Sequence, residues 1–140
     1  PSSPRRVETK EQSNLRTAEY AAVSAGVPDR RTAYISTQEN GEILLHLRPE
    51  KGDTRVYRKK EYDDVLRAAI DKKNRQMAEQ RRELHFEFHQ EANMCQVKVI
   101  DTSKQETDPA RVVRQIPPEG TIKFIEEIRE MVGILFDIEI

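Results

Sequence analysis

His85, Glu87 and His89 are the residues of this 140-residue chain whose types and spacing come closest to a metal or general-base site. They occupy every second position of residues 85–89. If that stretch is a strand, side chains two residues apart lie about 7 Å from one another, which is too far for an easy chelate. We therefore interpret the three residues as an exposed polar face and predict no metal site.

Cys95 is the single cysteine, so neither an intramolecular disulfide nor a cysteine-based zinc site can form within the chain. It alternates in phase with Val97 and Val99. That phase predicts a small core residue and not a catalytic thiol.

Asp101, Glu106 and Asp108 could suggest a cation-binding loop. The ligand spacing and the central glycine of an EF-hand are absent, so we interpret the group as a solvated loop. No nucleophile–base pair, metal cluster or phosphate-binding loop can be assembled from the sequence. We therefore predict a non-enzymatic protein without a cofactor.

The composition is short of core material. Apolar residues make up 36% of the chain and charged residues 35%, against about 45–50% and about 25% in an average soluble domain. No run of about 18 apolar residues occurs, so no membrane-spanning helix is expected. The first residues contain no apolar signal-peptide region, so none is predicted for the chain as given.

Charge is unevenly distributed, although the net charge is −1. Residues 30–60 carry eight basic and four acidic side chains, whereas residues 91–140 carry six basic and ten acidic ones. The basic arm around Arg55, Arg58 and Lys60 gives the alternative function, a nucleic-acid-associated regulator. No helix-turn-helix or RNA-binding signature accompanies it, so we do not expect nucleic acid as the partner.

The first 58 residues divide in two. Residues 1–30 are rich in Pro, Ser and charge, which predicts a disordered segment. In the arm 31–58, Asn40-Gly41 is a type I′ turn signal between two β-prone runs, and Lys51-Gly52-Asp53 is a second turn. A β-hairpin or a meander is expected, although Ile43–Leu47 does not alternate cleanly.

Residues 59–80 predict a helix, since apolar side chains recur on one face at spacings of three, four and seven residues. They are Tyr62, Val65, Leu66, Ala69, Ile70 and Met77. From residue 83 the period changes to two, with Leu84, Phe86 and Phe88 on one face, which predicts a half-buried antiparallel strand. A turn at Glu91-Ala92-Asn93 leads into a second strand from Cys95 to about Asp101.

Residues 111–116 predict a third strand, which Pro117 and Pro118 end because proline cannot donate to a ladder. Proline suits the first turn of a helix, so a second helix is expected from about Pro118. Phe124 and Met131 flank its predicted apolar face, which consists of Ile122, Ile125, Ile128, Val132 and Leu135. Gly133 can cap this helix, and residues 135–140 form an apolar tail that is either an edge strand or packed under the sheet.

The order helix, three strands, helix predicts an α+β fold. Short connections make the strands antiparallel, and both helices then cover one face of the sheet. The expected architecture over residues 59–140 is a two-layer α-β-β-β-α unit.

The segment from Arg111 reads RVVRQIPPEG and continues as TIKFIEEIREMVGILFD. It resembles the FlaG family of bacterial flagellar proteins, whose signature is a strand ending in V-(I/V)-R-Q-I-P-P-E, a helix and a G-L-L-x-D end. LHFEFH at 84–89 and VKVID at 97–101 resemble the first two strands of the family. Asn74 also sits where members often have an asparagine, and the resemblance covers roughly residues 60–140.

Two positions depart from the family pattern. Members usually join their second and third strands by a tight Thr-Gly turn, whereas residues 102–110 are longer and lack glycine, so a looser hairpin is expected. Gly120 stands where a helix-favouring Glu is common, which costs up to about 1 kcal/mol relative to alanine.

The resemblance implies a non-catalytic flagellar protein tied to filament assembly or filament-length control. It implies flagellar partners, with flagellin or the filament cap and junction proteins suspected, and a place in the bacterial cytoplasm or the flagellum. The candidate protein contact is Arg114, Gln115, Ile116, Pro117 and Pro118. The same string also has a purely structural reading, in which the prolines fix the entry to a helix and Ile116 fills the core.

Overall fold

The computed structural model describes residues 31–132 of the chain. Within that range, two helices and six strands follow in the order β1 (Ala33–Thr37), β2 (Ile43–Leu47), β3 (Arg55–Arg58), α1 (Lys59–Glu79), β4 (Leu84–Glu91), β5 (Met94–Asp101), β6 (Val112–Ile116) and α2 (Thr121–Val132). The predictions for residues 1–30, for Gly133 and for the tail 135–140 lie outside the described residues, as do those for the side chains of Met131 and Val132.

The first sheet is an antiparallel meander in the order β1-β2-β3, which was one of the two predictions for the arm. The predicted type I′ turn is wrong, because Gly41 has a φ of +87° while Asn40 does not have a positive φ. The Gln38 N–H donates to the Glu42 carbonyl at 2.8 Å, and the Gly41 N–H donates to the Gln38 carbonyl at 2.9 Å. These bonds close a three-residue loop, which needs a single left-handed residue.

The helix α1 ends within one residue of its predicted end, and its buried apolar side chains follow the predicted stripe. After Glu79 the chain leaves the helix through a Schellman motif. The Arg81 N–H donates to the Ala78 carbonyl at 3.1 Å, and the Arg82 N–H donates to the Met77 carbonyl at 2.9 Å. Arg81 has a φ of +55°, a conformation that usually selects glycine.

The second sheet is antiparallel in the order β4-β5-β6, as predicted. Ala92 and Asn93 have φ values of +53° and +63°, so they form a two-residue type I′ turn between Glu91 and Met94. The predicted turn at this position is therefore confirmed.

The helix α2 begins three residues later than predicted. Residues Pro118–Gly120 form a 3-10 turn, and the α-helix itself starts at Thr121. Pro118 and Gly120 lie within this tight turn at the entry to the helix, and Pro117 comes directly before it. Phe124, expected to flank the apolar face, is buried with 6% of its surface exposed.

Both sheets and both helices supply side chains to one apolar core. From the first sheet, Leu45, Leu47 and Tyr57 join side chains of α1, the second sheet and α2. The α+β class is confirmed. The core also includes the first sheet, β1-β2-β3, which the predicted α-β-β-β-α unit did not contain. Among the described residues, no helix has the length and apolar character needed to cross a membrane.

Candidate functional site

The strand β6, which carries the candidate contact residues, lies at an edge of the second sheet. Val112 and Val113 are 39% and 50% exposed, and Arg114 and Gln115 are also exposed. Ile116, by contrast, is buried in the core. An accessible edge strand offers both unpaired backbone groups and side chains to a partner.

Arg114 and Gln115 point to opposite faces of the second sheet, because neighbouring residues of a strand alternate. Arg114 lies opposite Val99 on the face that packs against the helices, and Gln115 lies opposite Lys98 on the other face. The structure therefore separates the two polar residues of the candidate string, and it buries Ile116 on the same face of the sheet as Arg114.

On the Arg114 side, a groove of about 330 Å³ lies between α1 and α2, and we call it the interhelical groove. Its apolar lining includes Met77, Phe86, Ile116, Phe124 and Ile128. Its charged lining consists of Lys73, Arg82, Arg114, Lys123 and Glu127. Four cations against one carboxylate give this groove a positive character.

On the Gln115 side, a cleft of about 440 Å³ lies between the β4–β5 turn and the pair Pro117 and Pro118. We call the two prolines the proline corner and this cleft the proline cleft. Pro117 and Pro118 form one wall, and Ala92 and Met94 belong to the other. This cleft has little charge, so the two faces of β6 present different chemistry to a partner.

The proline corner is fixed to α1 by a buried hydrogen-bond chain. The Thr121 hydroxyl donates to the Pro118 carbonyl at 2.7 Å and accepts from the Tyr62 hydroxyl at 2.6 Å. Burial raises the pKa of Tyr62 well above its usual value. A Cβ at position 120 would lie 3.2 Å from Cγ2 of Ile116, so Gly120 allows the corner to close on the core.

The candidate chemical groups remain separate in the structure. His89 Nε2 lies 3.4 Å from Glu87 Oε1, and residues 31–132 contain no cluster of three or more side chains that could hold a metal ion. Cys95 is fully buried in the core, as predicted, and burial, followed by the nearby Asp63, raises its pKa to about 12. A thiol with such a pKa is almost wholly protonated at neutral pH and is a poor nucleophile.

The acidic loop after β5 uses its carboxylates locally. Asp101 Oδ1 accepts hydrogen bonds from the Ser103 hydroxyl at 2.6 Å and the Ser103 N–H at 3.0 Å, and these bonds lower the pKa of Asp101. Asp108 Oδ1 accepts from the Ala110 N–H at 2.9 Å and caps a 3-10 turn. Both carboxylates shape the looser connection that the sequence predicted.

Part of the basic arm is engaged with carboxylates of the same chain. Three of its cations form ion pairs, which reduces the positive charge available to phosphate groups. The pairs are Arg55 with Glu126 at 3.4 Å, Arg58 with Glu42 at 3.3 Å and Lys59 with Asp63 at 2.6 Å.

Two contacts of this site region were not anticipated from the sequence. Asn74 of α1 bonds to the backbone of Phe86 in β4, and no local pattern relates residues twelve positions apart. Lys59 and Asp63 form an ion pair with only 12% and 7% of their side chains exposed. Their spacing of four residues on a helix was the available signal for the pair, although it does not signal burial.

In a comparison with known proteins, one family model matches this chain. A family model described as "FlaG protein" matches residues 46–138, well over half of the chain and from β2 onward. A Bacillus subtilis (strain 168) protein described as "Uncharacterized protein YvyC" is 28% identical over 110 residues, which cover 70% of this chain and 96% of that protein. No solved structure matches the chain at comparable significance.

Proposed function

This chain belongs to the FlaG family, and from that membership we propose that it is a non-enzymatic flagellar protein that acts through protein–protein contacts. The proposed process is filament assembly or the control of filament length. The proposed partners are flagellar proteins, with flagellin or the filament cap and junction proteins as candidates. The observation that carries the proposal is the family match, which spans α1, the whole second sheet and the helix α2.

We propose the β6 edge together with the proline corner as the contact surface. Because Arg114 and Gln115 face opposite sides of the sheet, a partner that contacts both must run along the strand edge between them. The bond between Tyr62 and Thr121 holds the corner in place, so little ordering is required when a partner binds. Arginine also suits interfaces, since its planar head forms several hydrogen bonds while its stem packs.

The test is an Arg114→Ala/Gln115→Ala double variant in a motile bacterium that carries this protein. Both side chains are exposed, so the melting temperature should stay close to that of the parent. Recovery of cross-linked flagellar proteins should fall, and filament length measured by electron microscopy should change while flagellin synthesis continues.

A matched control replaces another exposed basic residue and another exposed glutamine, as Lys104→Ala/Gln105→Ala in the loop before β6. This control should retain both partner recovery and filament length. If the β6 double variant melts far below the parent, Arg114 and Gln115 are structural. If it is stable and the filaments are normal, the contact surface lies elsewhere.

A further inference from the structure

The interhelical groove combines an apolar floor with a basic rim. Phe86 and Phe124 lie in contact on its floor, with ring centroids 5.7 Å apart. Within residues 31–132, neither Arg82, Arg114 nor Lys123 forms an ion pair. The groove therefore suits a segment that brings apolar side chains together with carboxylates.

The sequence that follows α2 has this composition. Residues 134–140 read ILFDIEI, with five apolar residues, two acidic residues and no basic one. Phe136, Ile138 and Ile140 alternate with Asp137 and Glu139. In an extended segment, this alternation would direct the apolar side chains to one side and the carboxylates to the other.

We propose that the interhelical groove is the docking site of the chain's own segment 134–140. In the docked state, the apolar side chains of the segment lie on the floor of the groove. Asp137 and Glu139 lie near the cations of the rim, among which Arg114 and Lys123 come from β6 and α2. The inference goes beyond the proposed function and holds whichever partner the protein binds.

The tether places this segment within reach of the groove. Ile128 lines the groove, and α2 ends at Val132, one helical turn or about 6 Å farther along the helix axis. The groove extends from Gly120, just before α2, to Ile128 within it, about 12 Å, while seven extended residues span about 23 Å. Gly133 is well suited to reversing the chain at the helix end.

The same tether favours the chain's own segment over that of a second molecule. A short linker holds its ligand at an effective concentration on the order of millimolar, far above the concentration of a typical protein solution. Docking would cover the Arg114 face of β6 and leave the Gln115 face open. A partner that uses Arg114 would then have to displace segment 134–140.

The chain contains no tryptophan, so Phe136→Trp provides a unique fluorescent probe within the segment. In the full chain we expect blue-shifted emission and weak quenching by acrylamide, both unchanged by hundredfold dilution. Adding Lys123→Glu should shift the emission to that of exposed indole and raise the quenching constant several-fold. Combining Lys123→Glu with Glu139→Lys should restore the protected emission, because the charges are then exchanged.

The control is Lys104→Glu, which reverses an exposed charge in the loop before β6 and should leave the emission unchanged. Emission typical of exposed indole in the Phe136→Trp protein would overturn the proposal. Protected emission that stays unchanged when Lys123→Glu is added would also overturn it. Protection that disappears on dilution would overturn it as well, since the occupant would then be a second copy.

Discussion

The side-chain amide of Asn74 bonds to both backbone polar groups of Phe86. Its Nδ2 donates to the Phe86 carbonyl at 2.9 Å, and its Oδ1 accepts from the Phe86 N–H at 2.7 Å. Because β4 is an edge strand, the amide takes the place that the backbone of a further strand would occupy. No described side chain bonds in this way to β6, so the two edges of the second sheet differ: a side chain of α1 pairs with the β4 edge at Phe86, whereas the β6 edge has no such partner among the described residues.

Asn74→Ala should lower the free energy of unfolding by about 2 kcal/mol, since two half-buried backbone groups lose their partners. Urea denaturation followed by circular dichroism measures the change. Arg75→Ala is the control, because Arg75 is exposed on the same turn of α1 and its loss should cost less than about 0.5 kcal/mol. Equal losses for the two variants would mean that the amide contributes nothing beyond helix propensity.

Helices and strands in which apolar residues recur with a single period could be predicted from the sequence. The apolar stripe of α1 and the alternation around Phe86 are both found in the structure, because each element buries one face. The strand β2 could not be assigned in this way, since its consecutive residues Leu44 and Leu45 are both buried. A strand covered on both sides loses the alternation that identifies a strand.

The candidate contact string was recognised as a unit because its five residues are contiguous and family-like. Strand geometry then divides it, with Arg114 in the interhelical groove and Gln115 in the proline cleft. The alternation rule alone could have separated these neighbours once residues 111–116 were interpreted as a strand. The groove itself depends on how α1 and α2 pack, which no local pattern contains.

Arg81→Gly should stabilise the protein, because Arg81 occupies the left-handed position after α1 at a φ of +55°. An L-residue pays roughly 1–2 kcal/mol in that conformation, and the greater entropy of glycine in the unfolded chain offsets part of the gain. We expect the free energy of unfolding to rise by about 0.5–1 kcal/mol in urea titrations. Ala78→Gly, an exposed position inside the same helix, should change it by a similar amount in the opposite direction.

The ion pair of Lys59 and Asp63 should contribute to stability through its burial. Removing one partner leaves a charge without compensation, so Lys59→Met or Asp63→Leu alone should cost about 3–5 kcal/mol. The double variant should lose much less than the sum, and a double-mutant cycle in urea measures this coupling. Asp64→Ala removes a carboxylate from an exposed pair with Arg67 and should cost less than about 1 kcal/mol. Additive losses for Lys59 and Asp63 would contradict the pairing.

Cys95 should make the stability depend on alkaline pH. Burial raises its pKa to about 12 in the folded protein, whereas an unfolded cysteine titrates near about 8.5. Between these values the unfolded chain releases the thiol proton and the folded chain retains it, so stability is complete below the unfolded pKa and falls as pH rises above it. From pH 8 to about pH 10 the loss should approach about 2 kcal/mol. Urea unfolding at a series of pH values should show this decline in the parent. Cys95→Ala should lower stability by a constant amount and remove most of the decline, leaving the smaller loss that the raised pKa of Tyr62 contributes near pH 10. A parallel decline in the two proteins would assign the alkaline loss to other groups.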